Sequence, residues 1–264
     1  MHEPLRLIQV TDSHLGQEPG PVRAGYPDSD LALRHVLETA RAREGLPDRL
    51  LLTGDLAENP SPDTYTRLKA LLDDTGPWPT SALAGNHDDA RELAVTLESA
   101  GHAVHRSERL GSWQLIALDS TQPGEPAGHL SDAELQRLEG ALTAHPERPA
   151  LIALHHPVVP VGSPWMDNMG LTNADALFAV LDHHPQVRAC VFGHAHQVVD
   201  TFHGDVRLLG CPATCVQFRP GAAEYQLDQD PDTGRPGYRV LELYPDSRLE
   251  TRVERLPAPA APMA

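Results

Sequence analysis

The sequence predicts an α/β protein of the four-layer α/β/β/α kind, two mixed sheets packed face to face with helices outside. Three observations carry the prediction. Apolar runs alternate with helical stripes from Leu5 to Ser99, the order that pairs strands in parallel with right-handed crossovers. From Phe192 onward the chain reads as strands and turns, so a second run of strands follows the first. Strand after strand ends in side chains able to bind a metal, and an open α/β sheet gathers its ligands beyond the carboxyl ends of its strands.

In order, Leu5–Thr11 is an apolar strand entering Asp12-Ser13-His14 and then a loop rich in Gly and Pro. Asp30 leads into a helical stripe of Leu31, Val36, Leu37 and Ala40 that stops near Gly45. Arg49–Thr53 is a strand entering Gly54-Asp55. Ser61 caps a helix with Pro62 at its first position and Leu68, Leu71 and Leu72 on its buried face. A short strand reaches Leu83-Ala84-Gly85 and presents Asn86-His87-Asp88, with Gly85 letting the backbone turn sharply. Ala90–Ser99 reads as helix and Trp113–Asp119 as strand; Ser131-Asp132-Ala133-Glu134 is a capping box opening a helix to about Ala144. Ala150–Leu154 enters His155-His156-Pro157, followed by an irregular stretch to Leu171. Asn173–Leu181 is helical, and Val187–Phe192 enters Gly193-His194-Ala195-His196. Val198–Phe202 with Val206–Leu209, and Tyr238–Leu243 with Leu249–Arg255, read as hairpins.

The 264 residues fit one domain, read as 1–256, with 157–172 and 211–237 as cap or specificity loops and 257–264 as a disordered Pro/Ala tail. Lys and Arg number 21 against 37 Asp and Glu, so the net charge is −16 and long polyanions such as duplex DNA are disfavoured. No apolar run approaches the ~20 residues of a membrane span. The first strand begins too soon after Met1 for a signal peptide, and three cysteines without CxxC spacing do not make a disulfide framework. The expected compartment is the cytoplasm.

With 15 His in the chain any one Asp–His neighbourhood means little. His2, His35, His102, His105, His145, His183 and His184 lie in polar or helix-end contexts and read as surface residues. The ordered set is what carries weight: Asp12-x-His14, Gly54-Asp55, Gly85-Asn86-His87-Asp88, His155-His156-Pro157 and Gly193-His194-x-His196. This set resembles the calcineurin-like metallophosphoesterases across about Leu5 to His196.

The resemblance implies two metal ions, one held by Asp12, His14, Asp55 and His196, the other by Asp55, Asn86, His155 and His194. Asp55 bridges, since a carboxylate can neutralise part of two cations ~3.5–4 Å apart. Mixed nitrogen and oxygen donors suit Fe, Mn, Zn or Co rather than Ca or Mg, and the absence of Cys from the set argues against a structural thiolate zinc site. The pleat and the family pattern put His155 at the metal and leave His156 behind it or at the rim. In the family the His after the Asn contacts phosphate and protonates the leaving oxygen; His87 matches it. The phosphate contacts implied are His14, Asp55, Asn86, His87 and His196. Asp88 either orients the His87 ring or caps the helix at Ala90.

A narrower resemblance, to the bacterial class III cyclic nucleotide phosphodiesterases, extends over nearly the whole chain. It rests on Asp12-Ser13-His14-Leu15, Gly85-Asn86-His87-Asp88, Ala153–Pro157, Trp165-Met166-Asp167-Asn168, Leu171-x-Asn173-Ala174-Asp175, Cys211–Phe218 and Pro236-Gly237-Tyr238-Arg239. Glu58 departs from it, standing where relatives often carry Asp. The implied reaction is hydrolysis of 3′,5′-cyclic AMP to 5′-AMP, by in-line attack on phosphorus of a hydroxide held by the two ions. Trp165 or Phe218 would stack on adenine, and Asn168 or Gln217 would bond its edge, unless these rings only pack the loops.

The alternative is a general phosphodiesterase for glycerophosphodiesters or 2′,3′-cyclic nucleotides, because metals recognise phosphate and not base. A metal- or nucleotide-binding module without turnover ranks below both, since such a protein is expected to lose ligands. The expected partner is a small cyclic nucleotide, with no nucleic acid and no membrane; monomer and homodimer stay open.

Overall fold

Two six-stranded sheets face each other in a computed structural model that describes residues 3–257. The elements run β1 (Leu5–Val10), α1 (Ser29–Glu44), β2 (Arg49–Thr53), α2 (Pro62–Thr75), β3 (Thr80–Leu83), α3 (Ala90–Ser99), β4 (Ala103–Val104), β5 (Ser107–Leu110) and β6 (Trp113–Ala117). They continue α4 (Asp132–Ala144), β7 (Ala150–Ala153), α5 (Pro164–Asp167), α6 (Ala174–Leu181), β8 (Val187–Phe192), β9 (Val199–His203), β10 (Val206–Gly210), β11 (Gly237–Leu243) and β12 (Leu249–Arg255). The first sheet is ordered β12-β11-β1-β2-β3-β4 and the second β5-β6-β7-β8-β10-β9. Strands β1 to β4 are parallel, as are β6, β7, β8 and β10; β11, β12, β5 and β9 pair antiparallel at the flanks. The expected α/β/β/α sandwich is the observed fold.

Strands buried on both faces need unbroken apolar runs, and Leu50-Leu51-Leu52 shows the division of labour. Leu51 joins Leu7, Leu83, Leu151, Ala189 and Val191 between the sheets, whereas Leu50 and Leu52 pack outward with Val36, Leu37, Leu68 and Leu72 of α1 and α2. On the far side, Ile152 and Cys190 meet Leu138 and Leu142 of α4 and Leu177 and Leu181 of α6. Polar stitches cross between the sheets near the carboxyl ends. Gln9 Nε2 donates to Phe192 O at 3.1 Å, and buried Arg239 donates to Gly210 O at 2.7 Å and Val199 O at 3.1 Å.

Several local expectations are corrected. The α1 stripe is Ala32, Leu33, Val36, Leu37 and Ala40, with Asp28 as cap, and Leu31 faces solvent. The Pro157–Leu171 stretch holds the short helix α5. Ser131 caps α4 through Glu134 N, but the Glu134 carboxylate pairs with Arg137, so the reciprocal half of the capping box is not made. Asn173 spends its side chain on Leu130 N and O rather than on α6. His105 is no surface residue: its Nε2 accepts the Ala84 N–H at 3.0 Å, tying down the chain where β3 ends. The strands β4 and β5 were too short to show a period. His2 and the 258–264 part of the expected tail lie outside the described residues.

Candidate metal centre

The carboxyl ends of β1, β2, β3, β7 and β8 converge on one buried polar cluster between the sheets. Local backbone geometry aims the side chains. Asp12, His14, Asp55, His194 and His196 all have φ between 46° and 64°, the left-handed region that costs a non-glycine residue ~1–2 kcal/mol. Such strain persists only where the surroundings over-determine it. Gly85 serves by lacking a side chain rather than by a left-handed φ: a Cβ there would run into Asp55 Oδ1 and its backbone N.

The side chains fall into two sets that share one atom. In the first, Asp12 Oδ1 lies 3.3 Å from His196 Nε2 and 3.9 Å from His14 Nε2, and the two imidazole nitrogens are 3.3 Å apart. In the second, His155 Nε2 lies 3.2 Å from Asn86 Oδ1 and 3.2 Å from His194 Nδ1. Asp55 Oδ2 stands 3.7 Å from His14 Nε2 and 3.3 Å from His155 Nε2, facing both. Ligand bonds of ~2.1 Å in a tetrahedron set donor atoms ~3.4 Å apart, so each set has the spacing of one coordination shell.

Three of the four rings in these sets are held from behind. His155 Nδ1 donates to Thr53 O at 2.8 Å, His196 Nδ1 to Val216 O at 2.7 Å, and His14 Nδ1 to Glu58 Oε2 at 2.8 Å. Each bond fixes the tautomer and turns the Nε2 lone pair into the cluster. Charge follows the same pattern. Burial would lift Asp12 and Asp55, yet His196 and His155 beside them hold both below the usual carboxylate range. Burial would lower His14 and His155, yet Glu58 lifts the first and Asp55 the second, each to about 9. No Lys or Arg neutralises Asp12 or Asp55 among the described residues, so without metal the imidazoles supply the positive charge. The donor set therefore fits two cations bridged by Asp55.

Asp88 does neither of the things expected of it. Its carboxylate accepts from Gly85 N at 2.9 Å, Leu56 N and Ala57 N at 3.0 Å each, and Tyr65 Oη at 3.0 Å, while Asp89 caps α3. It therefore locks the turn after β3 to the turn after β2. Asp88→Ala strands three backbone donors, each worth roughly 1–3 kcal/mol when left unsatisfied. A drop of several kcal/mol in urea unfolding is expected, and a loss below 1 kcal/mol would return Asp88 to the surface.

His156 stays against the cluster, its ring 4.9 Å from those of His155 and His194, but its Nδ1 is paired with Ser120 Oγ at 2.8 Å and its Nε2 has no partner among the described residues. Burial, reinforced by His155, pushes it from 6.5 down to about 3. Between those values the unfolded chain binds a proton that the folded one refuses. Its contribution is full above pH 6.5 and is lost as pH falls toward 3. His156→Gln should flatten the acid limb of urea midpoint against pH; an unchanged limb assigns it to other groups.

Above the cluster opens a cleft of about 160 Å³, with Glu58, Asn86 and His87 on its floor beside the sets. His87 N donates to Asp55 Oδ1 at 2.9 Å, and its ring Nδ1 faces Glu58 Oε2 at 3.3 Å. Glu58 thus serves His14, His87 and Arg23 together, and His14 leads in holding its carboxyl down to about 2. Of the four side chains expected at a base, Trp165 and Phe218 line the cleft. Phe218 stacks on the His196 ring, centroids 4.1 Å apart. The other two are corrected. Gln217 is buried with both amide atoms on Ala213, Oε1 accepting its N–H and Nε2 donating to its O, and Asn168 lies outside the cleft. Arg23, Tyr26, Met169 and Tyr225 also line it and were not foreseen, because loop residues carry no period to announce where they fold back.

The family model for calcineurin-like phosphoesterases matches residues 5–198, the span that contains every member of both sets. The chain belongs to the calcineurin-like phosphoesterases. Within them it is 39 % identical to the 3′,5′-cyclic adenosine monophosphate phosphodiesterase CpdA of Pseudomonas aeruginosa, covering 95 % of this chain and 89 % of that one. It is 35 % identical to a 3′,5′-cyclic-nucleotide phosphodiesterase of Nostoc sp., covering 96 % and 93 %. A dimetal phosphatase of Danio rerio superposes with a TM-score of 0.64 at 14 % identity, over 97 % of this chain and all of that one. A purple acid phosphatase of yellow lupin superposes equally well at 10 % identity, over 97 % of this chain and 52 % of that one. These two share the calcineurin-like phosphoesterase fold.

Proposed function

We propose that this calcineurin-like phosphoesterase hydrolyses 3′,5′-cyclic AMP to 5′-AMP. The observation that carries the reading is Asp55 Oδ2 facing two complete nitrogen-and-oxygen donor sets at the floor of a cleft walled by aromatic rings. The Pseudomonas aeruginosa relative is named for cyclic AMP and the Nostoc relative for 3′,5′-cyclic nucleotides, and each matches nearly end to end. Asp12, His14, Asp55 and His196 would hold one divalent ion, and Asp55, Asn86, His155 and His194 the second. When bound, such a pair polarises phosphoryl oxygens and generates a nucleophile from water near neutral pH.

The chain's own groups do the rest. His14, Asp55, Asn86, His87 and His196 would contact the phosphate. With His87 Nδ1 facing ionised Glu58, Nε2 is the nitrogen that carries a proton to the departing 3′ oxygen. Trp165, lining the cleft, would offer its ring to adenine, and its buried indole N–H has no partner among the described residues. The mixed nitrogen and oxygen donors suit Fe, Mn, Zn or Co, as divalent or mixed-valence ions. No helix among the described residues is long and apolar enough to cross a membrane. The rest of the reading is a single domain over 1–256 with 157–172 and 211–237 as specificity loops, acting in the cytoplasm on a small nucleotide and not on nucleic acid or membrane.

The test is turnover of cyclic AMP, cyclic GMP, 2′,3′-cyclic AMP and bis-p-nitrophenyl phosphate by metal-reconstituted protein. The highest kcat/KM is expected for cyclic AMP. Rapid cleavage of the other diesters with cyclic AMP inert would make the protein a general phosphodiesterase. Trp165→Ala should lower cyclic AMP turnover more than turnover of the base-free diester. Equal losses on both would mean that Trp165 supports the loops.

A further inference from the structure

The rim of the cleft carries a contact that the metal chemistry does not need. Tyr26, in the loop between β1 and α1, and Tyr225, in the loop between β10 and β11, meet hydroxyl to hydroxyl at 2.6 Å. Segments almost two hundred positions apart in the chain thus close over the same opening. Each ring is positioned independently of the bond. Tyr26 packs against the apolar cluster of Ala213, Cys215 and Val216, next to Phe218 and Leu227. Tyr225 stands edge-on to Phe218 at 5.4 Å and to Trp165 at 5.6 Å, on a small hairpin in which Phe218 pairs with Leu227. Ser163 Oγ anchors that hairpin by accepting from Gly221 N at 3.0 Å and from Gln197 Nε2 at 3.1 Å.

We propose that Tyr26 and Tyr225 are specificity-determining residues whose hydroxyl pair ties two loops together across one side of the cleft. The inference rests on the phosphodiesterase reading above and adds the limit on what the diester may carry. A ligand whose phosphate lies on the donor sets shares a cleft of about 160 Å³ with Trp165, Phe218 and both tyrosines, so the pair bounds the room left for the rest of it. A diester that folds back on itself, as a 3′,5′-cyclic nucleotide does, ends inside that boundary. An open diester with a second bulky alcohol, such as a linear dinucleotide, has to part the two hydroxyls to bind. The penalty falls on one substrate and not on the other, which is how a site discriminates by exclusion.

Tyr26→Phe, Tyr225→Phe and the double variant remove the bond and keep the rings. The readout is the ratio of kcat/KM for linear adenylyl-adenosine to that for cyclic AMP. Each single variant should raise the ratio about three- to tenfold, the equivalent of one neutral hydrogen bond. The double variant should raise it no further, because both changes break the same bond. The gain should lie in KM for the dinucleotide, since the pair touches no reacting atom. Tyr225→Ala, which widens the opening, should exceed all three. An unchanged ratio in the single variants, or additive effects in the double, overturns the proposal. Should wild-type protein prove inert on 3′,5′-cyclic AMP, the ratio of adenylyl-adenosine to 2′,3′-cyclic AMP, which also folds back on itself, decides the rim's role separately from the cyclic-nucleotide reading.

Discussion

Asp55→Ala is expected to come out of metal reconstitution with neither ion bound and with no measurable diester turnover. The reason is arithmetic of contact: Oδ2 lies within 3.7 Å of a ring nitrogen in each donor set. Its removal takes one donor from both, and leaves His155 without its 3.3 Å carboxylate while His14 keeps Glu58. The other carboxylate oxygen is also committed, accepting His87 N at 2.9 Å, so the variant loosens the turn that presents Asn86 and His87 as well. His14→Ala is the control, since it removes a donor from one set only and should weaken chiefly one ion. Metal-to-protein ratios after desalting, read beside circular dichroism to show that the fold survives, separate the two. Two ions retained in Asp55→Ala would remove the bridge.

His87→Ala should behave in the opposite way, keeping both ions and losing turnover by ~10²–10⁴, the range of a general acid. Its ring belongs to neither donor set; it stands beside them, edge-on to His14 at 5.0 Å with Nδ1 toward Glu58. An acid matters most when the leaving oxygen is a poor leaving group. The loss should therefore be large on cyclic AMP, whose ribose alkoxide needs a proton, and much smaller on bis-p-nitrophenyl phosphate, whose phenolate does not. Equal losses on both substrates would leave His87 a phosphate contact only. Glu58→Gln should share the pattern in weaker form, because it keeps an acceptor for His87 and His14 while giving up the charge.

What was legible in the sequence was whatever is written locally. Leu50-Leu51-Leu52 before Gly54-Asp55, and Ala150–Leu154 before His155, announce buried strands and what they deliver, because a strand's period and the residue after it are neighbours in the chain. The sandwich followed from the order of such elements, and the metal-competent residues from their shared place at strand ends. The choice between His155 and His156 already needed more than spacing. The structure brings both rings to the cluster, the first facing Asp55 and Asn86 and the second bonded through Nδ1 to Ser120.

Other residues could not be read at all without the fold, and they have one property in common. Asp88 looks like a helix cap until Leu56, Ala57 and Tyr65 arrive from more than twenty positions away to use its oxygens. Gln217 looks like a ligand for a base until its own turn closes on Ala213. Tyr26 and Tyr225 have nothing in their neighbourhoods to connect them. The sequence by itself determined the class of fold, the strands and the donor types. The tertiary structure alone decided which polar atoms were left free to act, because a side chain's hydrogen-bonding capacity is finite and long-range packing spends it first.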